Sequence, residues 1–369
     1  MRRISCFSHT ACLAIVVLFF GHGLGLHAIG APSVSDPKPG EPTDPKARKT
    51  FADAIEYQKK GQKRAALGEF RKANTQDGGH CAACLSHAYS LAMETGAYKE
   101  AESVLRDYLQ LAQADATKAT LHFQLAVALQ REGLSTKKDN YFAASCDEYR
   151  TALQLDSSLT LAHYGLGASL AHLHQDDEAR AEFKAFLDRD KVNPSAHPRA
   201  QRYADRIELA RAKMAPPFTV VALDGQHVSM DELTGKVVLI DFWATWCGPC
   251  REALPRIKGI AQKFNGQPLV VISISLDSDE AKWKKFVAKN EMTWPQYRDG
   301  YFDGPIATLF AVKAIPATFS IDTDGVLEDQ HVGDADIEGK LKKMIAQAVE
   351  LSNRKAAMAA TVKASGAAN

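Results

Sequence analysis

Charge of one sign is not in excess in this 369-residue chain, where 45 Lys and Arg stand against 44 Asp and Glu. Near neutrality leaves no global electrostatic reason to bind nucleic acid, and no dense Lys/Arg run with interleaved aromatics supplies a local one. Cysteine is scarce, seven in all, too few to staple a chain that is long enough to bury a core unaided. Long apolar runs are missing beyond the ten residues Ala11 to Phe20, about half of what a membrane span needs. A dinucleotide fingerprint, a phosphate-cradling glycine loop and a Ser/His/Asp constellation are absent too.

The N-terminus carries Arg2 and Arg3, then that short apolar run, then small residues at Ala28, Gly30 and Ala31. Basic start, apolar core and small-residue exit are the parts of a secretory signal, expected over residues 1–30. The chain is therefore expected to be exported, periplasmic, and membrane-anchored if the signal stays uncleaved. Residues 31–48, rich in Pro, Ser, Asp and Lys, read as an extended linker.

Residues 49–213 are Ala- and Leu-rich and helix-forming, with their only prolines at Pro194 and Pro198. The triplet Ala66, Phe70, Ala73 is echoed by Ala101, Leu105, Tyr108, by Ser145, Tyr149, Ala152, and by Ala179, Phe183, Phe186. Their leading positions lie 35, 44 and 34 residues apart. This stretch resembles the tetratricopeptide family, whose period is about 34 residues, with an insertion near Gly133–Asn140. Such hairpins bury their apolar faces only against neighbours. A final amphipathic helix from Ser195 to Lys213 would cap the array, and its groove would take a peptide or protein partner. A spacer or dimerisation role is the alternative.

Ala215-Pro216-Pro217 breaks the helical pattern. Beyond it come short strands at Phe218–Leu223 and near His227, buried strands at Val237–Phe242 and Leu269–Leu276, and helices at Trp246–Asn265 and Asp279–Asn290. A hairpin around Asp324-Gly325 and a helix from Glu338 to Leu351 follow. The fold class expected is an all-α helical-hairpin array followed, over 216–350, by an α/β domain with a mixed sheet covered by helices. The tail 351–369 reads as disordered.

With Cys6 and Cys12 inside the signal, five cysteines remain: Cys81, Cys84, Cys146, Cys247 and Cys250. Trp246-Cys247-Gly248-Pro249-Cys250 falls where a buried strand ends and a helix begins. Unsatisfied amides and the macrodipole there favour a thiolate, so an exposed Cys247 would be the nucleophile and a shielded Cys250 the resolving thiol. A zinc site would need two more ligands, and His331 is the only histidine downstream, so neither metal nor cofactor is expected beyond the cysteine pair itself.

Residues 216–350 resemble the thioredoxin superfamily, most closely its exported TlpA/ResA-type thiol–disulfide oxidoreductases. The resemblance rests on Asp241-Phe242-Trp243, the WCGPC motif, Arg251, Pro255 and Ile315-Pro316-Ala317-Thr318. It implies a cis Pro316 beside the disulfide, Ile315 offering backbone to a substrate chain beside Trp246, and Asp241 as a buried acid that takes the proton of Cys250. A strand-end cap is the plainer role for Asp241. The Gly-Pro dipeptide resembles that of reducing thioredoxins. Ala253 stands where the exported branch often carries Glu, which weakens any carry-over of that branch's specific substrates.

The implied activity is dithiol/disulfide exchange with protein substrates, fed by an electron-donor protein. A protein-interaction scaffold with the redox fold as tether is the alternative. A thiol peroxidase fits less well, because Thr245 lies two residues before Cys247 rather than three. Cys81 and Cys84, flanked by His80 and His87, read as a structural disulfide, an auxiliary redox pair or a metal site. Cys146 reads as a buried small residue. His163, His172 and His174 are expected to face solvent or the groove.

Overall fold

The computed structural model describes residues 40–333 and 337–366, so the signal and most of the linker lie outside the described residues. Helix α1 (Pro45–Lys59) starts inside the stretch read as linker. Asp-Pro is an N-cap followed by a proline at the first helical position, as well as a linker composition. The Asp44 carboxylate accepts from the Lys46 and Ala47 amides at 2.8 and 2.9 Å.

The described residues form two compact units, one ending at Leu173 and the other beginning at His174. In the first, α1 is followed by α2 (Lys63–Gln76), α3 (Ala82–Glu94), α4 (Tyr98–Leu111), α5 (Asp115–Thr136), α6 (Asp139–Leu155) and α7 (Thr160–His172), each packed on the next. Ala66, Phe70, Ala73, Ala101, Leu105, Ser145, Tyr149 and Ala152 are buried, whereas Tyr108 is half-buried. The long spacing in the third unit is taken up by α5, which has 22 residues where α3 and α7 have 13.

A polar seam crosses this apolar packing. Ser145 donates to the Ala126 carbonyl at 2.9 Å, and Gln130 donates to the Gly165 carbonyl and to Ser169 Oγ. These bonds tie α5, α6 and α7 and leave the seam's side chains satisfied, as burial requires. His163 is buried, against the expectation that it faces solvent or the groove, whereas His172 is half-buried and stacks on Phe142 at 4.3 Å and His174 is exposed.

The second unit opens with α8 (Asp176–Arg189) and α9 (His197–Asp205), both within the stretch read as repeats. The expected cap helix breaks at Arg206, whose backbone is extended (φ −133°, ψ 82°), and ends in a 3-10 turn, Ile207–Arg211. Helix α8 packs on α9, and α9 with Arg206 is held to the α/β part by charge. Arg199 and Arg202 share Asp231 Oδ1 at 3.1 and 2.8 Å, and Arg206 reaches Asp324 at 2.6 Å. That clamp gives a physical reason for the division falling ahead of α8 rather than at the Pro-Pro break.

The α/β part comprises a hairpin of β1 (Thr219–Val221) and β2 (His227–Ser229), then β3 (Val237–Trp243), α10 (Gly248–Lys263), β4 (Leu269–Ser275), α11 (Glu280–Lys289), β5 (Gln296–Arg298), α12 (Pro305–Leu309), β6 (Ala317–Ile321), β7 (Leu327–Val332) and α13 (Glu338–Gly366). The five-stranded sheet runs β5-β4-β3-β6-β7, parallel through β5, β4 and β3 and antiparallel through β6 and β7. Every residue of β3 is buried, in keeping with a central strand covered on both faces. Phe319 meets Phe242 and Phe310 edge-on in the core.

Two short elements, β5 and α12, had no counterpart in the sequence reading. The terminal helix continues to Gly366 instead of ending at 351, as the helix propensity of its Ala- and Lys-rich tail allows.

Gly165 on α7 sets how closely the array packs. A Cβ there would lie 2.2 Å from Tyr149 Cζ and 2.4 Å from its hydroxyl. Gly165→Ala should therefore lower stability by about 1–3 kcal/mol, the usual cost of overpacking. Denaturant unfolding of the array checks this, and a midpoint equal to that of the wild type would contradict it.

Candidate active site

Strand β3 delivers the chain to the mouth of α10 through Ala244, Thr245 and Trp246. Asp277, in the loop after β4, fixes that turn. Its carboxylate accepts from the Thr245 amide at 2.9 Å, from Thr245 Oγ1 at 2.6 Å and from Ser275 Oγ at 2.7 Å. Neither motif nor spacing singled out Asp277, because its role arises only when β4 pairs with β3. The signal available was its position just past a buried strand, beside Ser275.

Cys247 is the N-cap of α10, with extended backbone (φ −83°, ψ 109°), and Gly248-Pro249 forms the first turn. Its sulfur takes the place of a capping oxygen and accepts from the Cys250 amide at 3.2 Å. Cys247 and Cys250 are joined as a disulfide. Cys247 is 6% exposed and Cys250 4%, so the expectation of an open first cysteine is corrected, whereas the second is shielded as expected. In the oxidised pair both sulfurs fold over the helix mouth. The Ile315 carbonyl oxygen lies 3.8 Å from Cys247 Sγ, and the Ile315–Pro316 bond is cis. Pro316 is buried, and its carbonyl accepts from the Gly333 amide at 2.8 Å. Trp246 is 46% exposed. Cys247, Cys250, Trp246, Ile315 and Pro316 thus gather at one end of β3.

Asp241 lies deeper, within β3, in register with Ser273 of β4 and Thr318 of β6. It is a buried carboxyl in the middle of the sheet rather than an exposed strand-end cap. Ser273 Oγ donates to it at 3.2 Å and itself accepts from the Trp294 indole at 2.9 Å. Burial pushes the Asp241 pKa up to about 7, against the smaller opposing effects of the Ser273 bond and the Arg256 charge. Arg256 belongs to α10, the helix that carries Cys250.

The second pair, Cys81 and Cys84, is also a disulfide across a helix start, with Cys81 as N-cap of α3 and the Cys84 amide on its sulfur at 3.1 Å. Its surroundings differ. Both residues are fully buried, against Ala73 and beside Phe51. The leading segment lies across this helix start, with the Ala83 amide on the Gly40 carbonyl and the Thr43 and Asp44 amides on Asp77 Oδ1. His87 stacks on Phe70 at 4.6 Å, and among the described residues no cluster could hold a metal. Cys146 is buried on α6.

The AhpC/TSA family model matches residues 212–330. The thiol-disulfide oxidoreductase ResA of Bacillus anthracis is 30% identical over 145 residues, 38% of this chain and 83% of that protein. The thioredoxin-like protein YneN of Bacillus subtilis (strain 168) is 32% identical over 137 residues, 36% of this chain and 78% of that one. Among solved structures, a thiol:disulfide interchange protein of the thioredoxin family from Chlorobium tepidum TLS is 25% identical, covering 37% of this chain and 97% of its own, with a TM-score of 0.32.

Asp241 makes stability depend on pH. Folded, it keeps its proton up to about pH 7; unfolded, it loses it in the ordinary carboxylate range near 3.8. The folded state binds the extra proton between those values, so this contribution is complete below that range and is lost as pH rises through about 7. Compared with Asp241→Asn, the oxidised wild type should lose on the order of 4 kcal/mol between about pH 4 and about pH 8. Urea unfolding of both proteins across that range checks it; a constant difference would contradict it.

Proposed function

The chain belongs to the ResA family of thiol–disulfide oxidoreductases, and from that premise we propose that it is an exported, periplasmic enzyme that reduces protein disulfides through Cys247 and Cys250. The Cys247 thiolate attacks one sulfur of the substrate disulfide and expels the other as a thiolate, leaving a mixed disulfide. The Cys250 thiol loses its proton and attacks Cys247 Sγ, which releases the second substrate thiolate and closes the Cys247–Cys250 bond. Two electrons pass from enzyme to substrate, and a dithiol donor protein returns them. The amide-to-sulfur bond at the N-cap position of Cys247, 3.2 Å long, carries this reading, because the same amide stabilises a thiolate once the disulfide is open.

Asp241 is the proton acceptor for Cys250. A carboxyl whose pKa lies at about 7 can take up and return a proton near neutral pH at little cost. Ile315 and Trp246 receive the substrate chain, the former through the carbonyl that faces Cys247 Sγ. The helical array recruits a peptide or protein partner, as stacked hairpins with a continuous surface generally do. Export and the periplasmic location rest on the signal pattern of residues 1–30. The reducing direction rests on the Gly-Pro dipeptide.

A thiol peroxidase is a second reading, favoured by the AhpC/TSA match. Thr245 speaks against it: its hydroxyl is committed to Asp277, and it lies two residues from Cys247, not three.

Cys247→Ser should cut disulfide exchange by at least roughly 100-fold, whereas Cys250→Ser should accumulate a thiol-reversible mixed disulfide on Cys247. Insulin reduction and non-reducing electrophoresis read the two effects. Full activity in Cys247→Ser would overturn the assignment.

A further inference from the structure

Between β5 and α12 the chain makes a tight turn, Asp299 to Gly304, pinned at both ends. The Asp299 amide extends the ladder onto the Ser275 carbonyl at 2.8 Å. Its buried carboxylate accepts from the amides of Ile306 and Ala307, at 3.1 and 2.7 Å. Gly300 lies in the left-handed region (φ +104°). Gly304 has no room for a side chain, since a Cβ would stand 2.4 Å from Asp299 Oδ2, and its amide closes the turn on the Tyr301 carbonyl at 3.1 Å.

A buried carboxylate and two specialised glycines thus hold a turn that presents two aromatic rings, Tyr301 and Phe302, ahead of the exposed Asp303. Tyr301 is 52% exposed and Phe302 half-buried, their rings edge-to-face at 5.3 Å. Both approach Trp246, the residue next to Cys247, at 6.2 and 6.5 Å between centroids. Large rings left partly wet on a rigid support contribute contact area at low entropic cost when something covers them. A polypeptide that presents its sulfur to Cys247 is the occupant whose position is already fixed.

We propose that Trp246, Tyr301 and Phe302 form a shelf that receives a bulky apolar or aromatic side chain flanking the substrate cysteine. The substrate class is then polypeptide disulfides set in apolar sequence. Asp299 is a positioning residue that acts through the turn. The inference rests on the exchange reading above and adds a selectivity to it.

The test uses the pre-reduced full-length chain and two synthetic peptides, each with one intramolecular disulfide, whose cysteines are flanked by Phe in one and by Ser in the other. The wild type should prefer the Phe peptide by about tenfold, carried by the half-saturating concentration rather than by the limiting rate. Tyr301→Ala should bring the ratio within roughly twofold, and Tyr301→Phe, which keeps the ring, should retain it. A wild type that opens both peptides equally well overturns the shelf alone. So does a Tyr301→Ala variant that keeps the full preference. A wild type inactive on both peptides overturns the exchange reading, and the shelf with it.

Discussion

One hydrogen bond organises the reactive end of this molecule: the Cys250 amide on the sulfur of Cys247, at the first turn of α10. It needs a cysteine at the N-cap position and a helix whose free amides converge on that point, and Pro249 at the helix start gives up no needed donor. The rest of the α/β unit holds that helix mouth in place. β3 is buried along its whole length and enters the turn between β4 and β6. Asp277 secures the turn from the next strand, and the Ile315–Pro316 segment closes over the sulfur. Moving any of these parts would leave the motif intact and misplace its chemistry.

Two cysteine pairs share the same spacing and the same capping bond but differ in their surroundings. Cys81–Cys84 is fully buried within the helical array. Cys247–Cys250 sits beside an exposed tryptophan and a backbone carbonyl that faces its first sulfur. Thiol–disulfide exchange needs an attacking sulfur to approach in line, and Cys81 and Cys84 have no exposed surface. Neighbouring titratable groups separate them further: β3, which leads to the second pair, carries Asp241 with its proton held to about pH 7, whereas His87 near the first is stacked on Phe70 and its pKa is lowered by burial.

Strong local signals were legible in the sequence. The continuous apolar run of β3, the WCGPC helix start, the Asp324-Gly325 hairpin and the recurring triplets led by Ala66, Ala101, Ser145 and Ala179 all mark elements that the structure contains. Elements fixed by tertiary partners were not. β5 is three residues long, with Gln296, Tyr297 and Arg298 giving no strand signature, and it exists because β4 offers an edge. The break at Arg206 and the attachment of α9 involve Asp231 and Asp324, which lie far along the chain. Within the site, Asp277 and the Asp299–Gly304 turn escaped notice for the same reason. Their side chains serve backbone amides that only the folded sheet brings near. The start of α1 at Pro45 was legible in principle, since Asp44-Pro45 is a capping pair, but a proline-rich composition concealed it.

The central claim is that the reduced Cys247 sulfur is held as a thiolate by the mouth of α10. Its most direct test is the rate of iodoacetamide alkylation at Cys247 in the reduced protein, followed by mass spectrometry from acid to alkaline pH. The account predicts a half-maximal rate at least about one unit below pH ~8.5, where an ordinary thiol ionises. A midpoint at or above that ordinary value would contradict it.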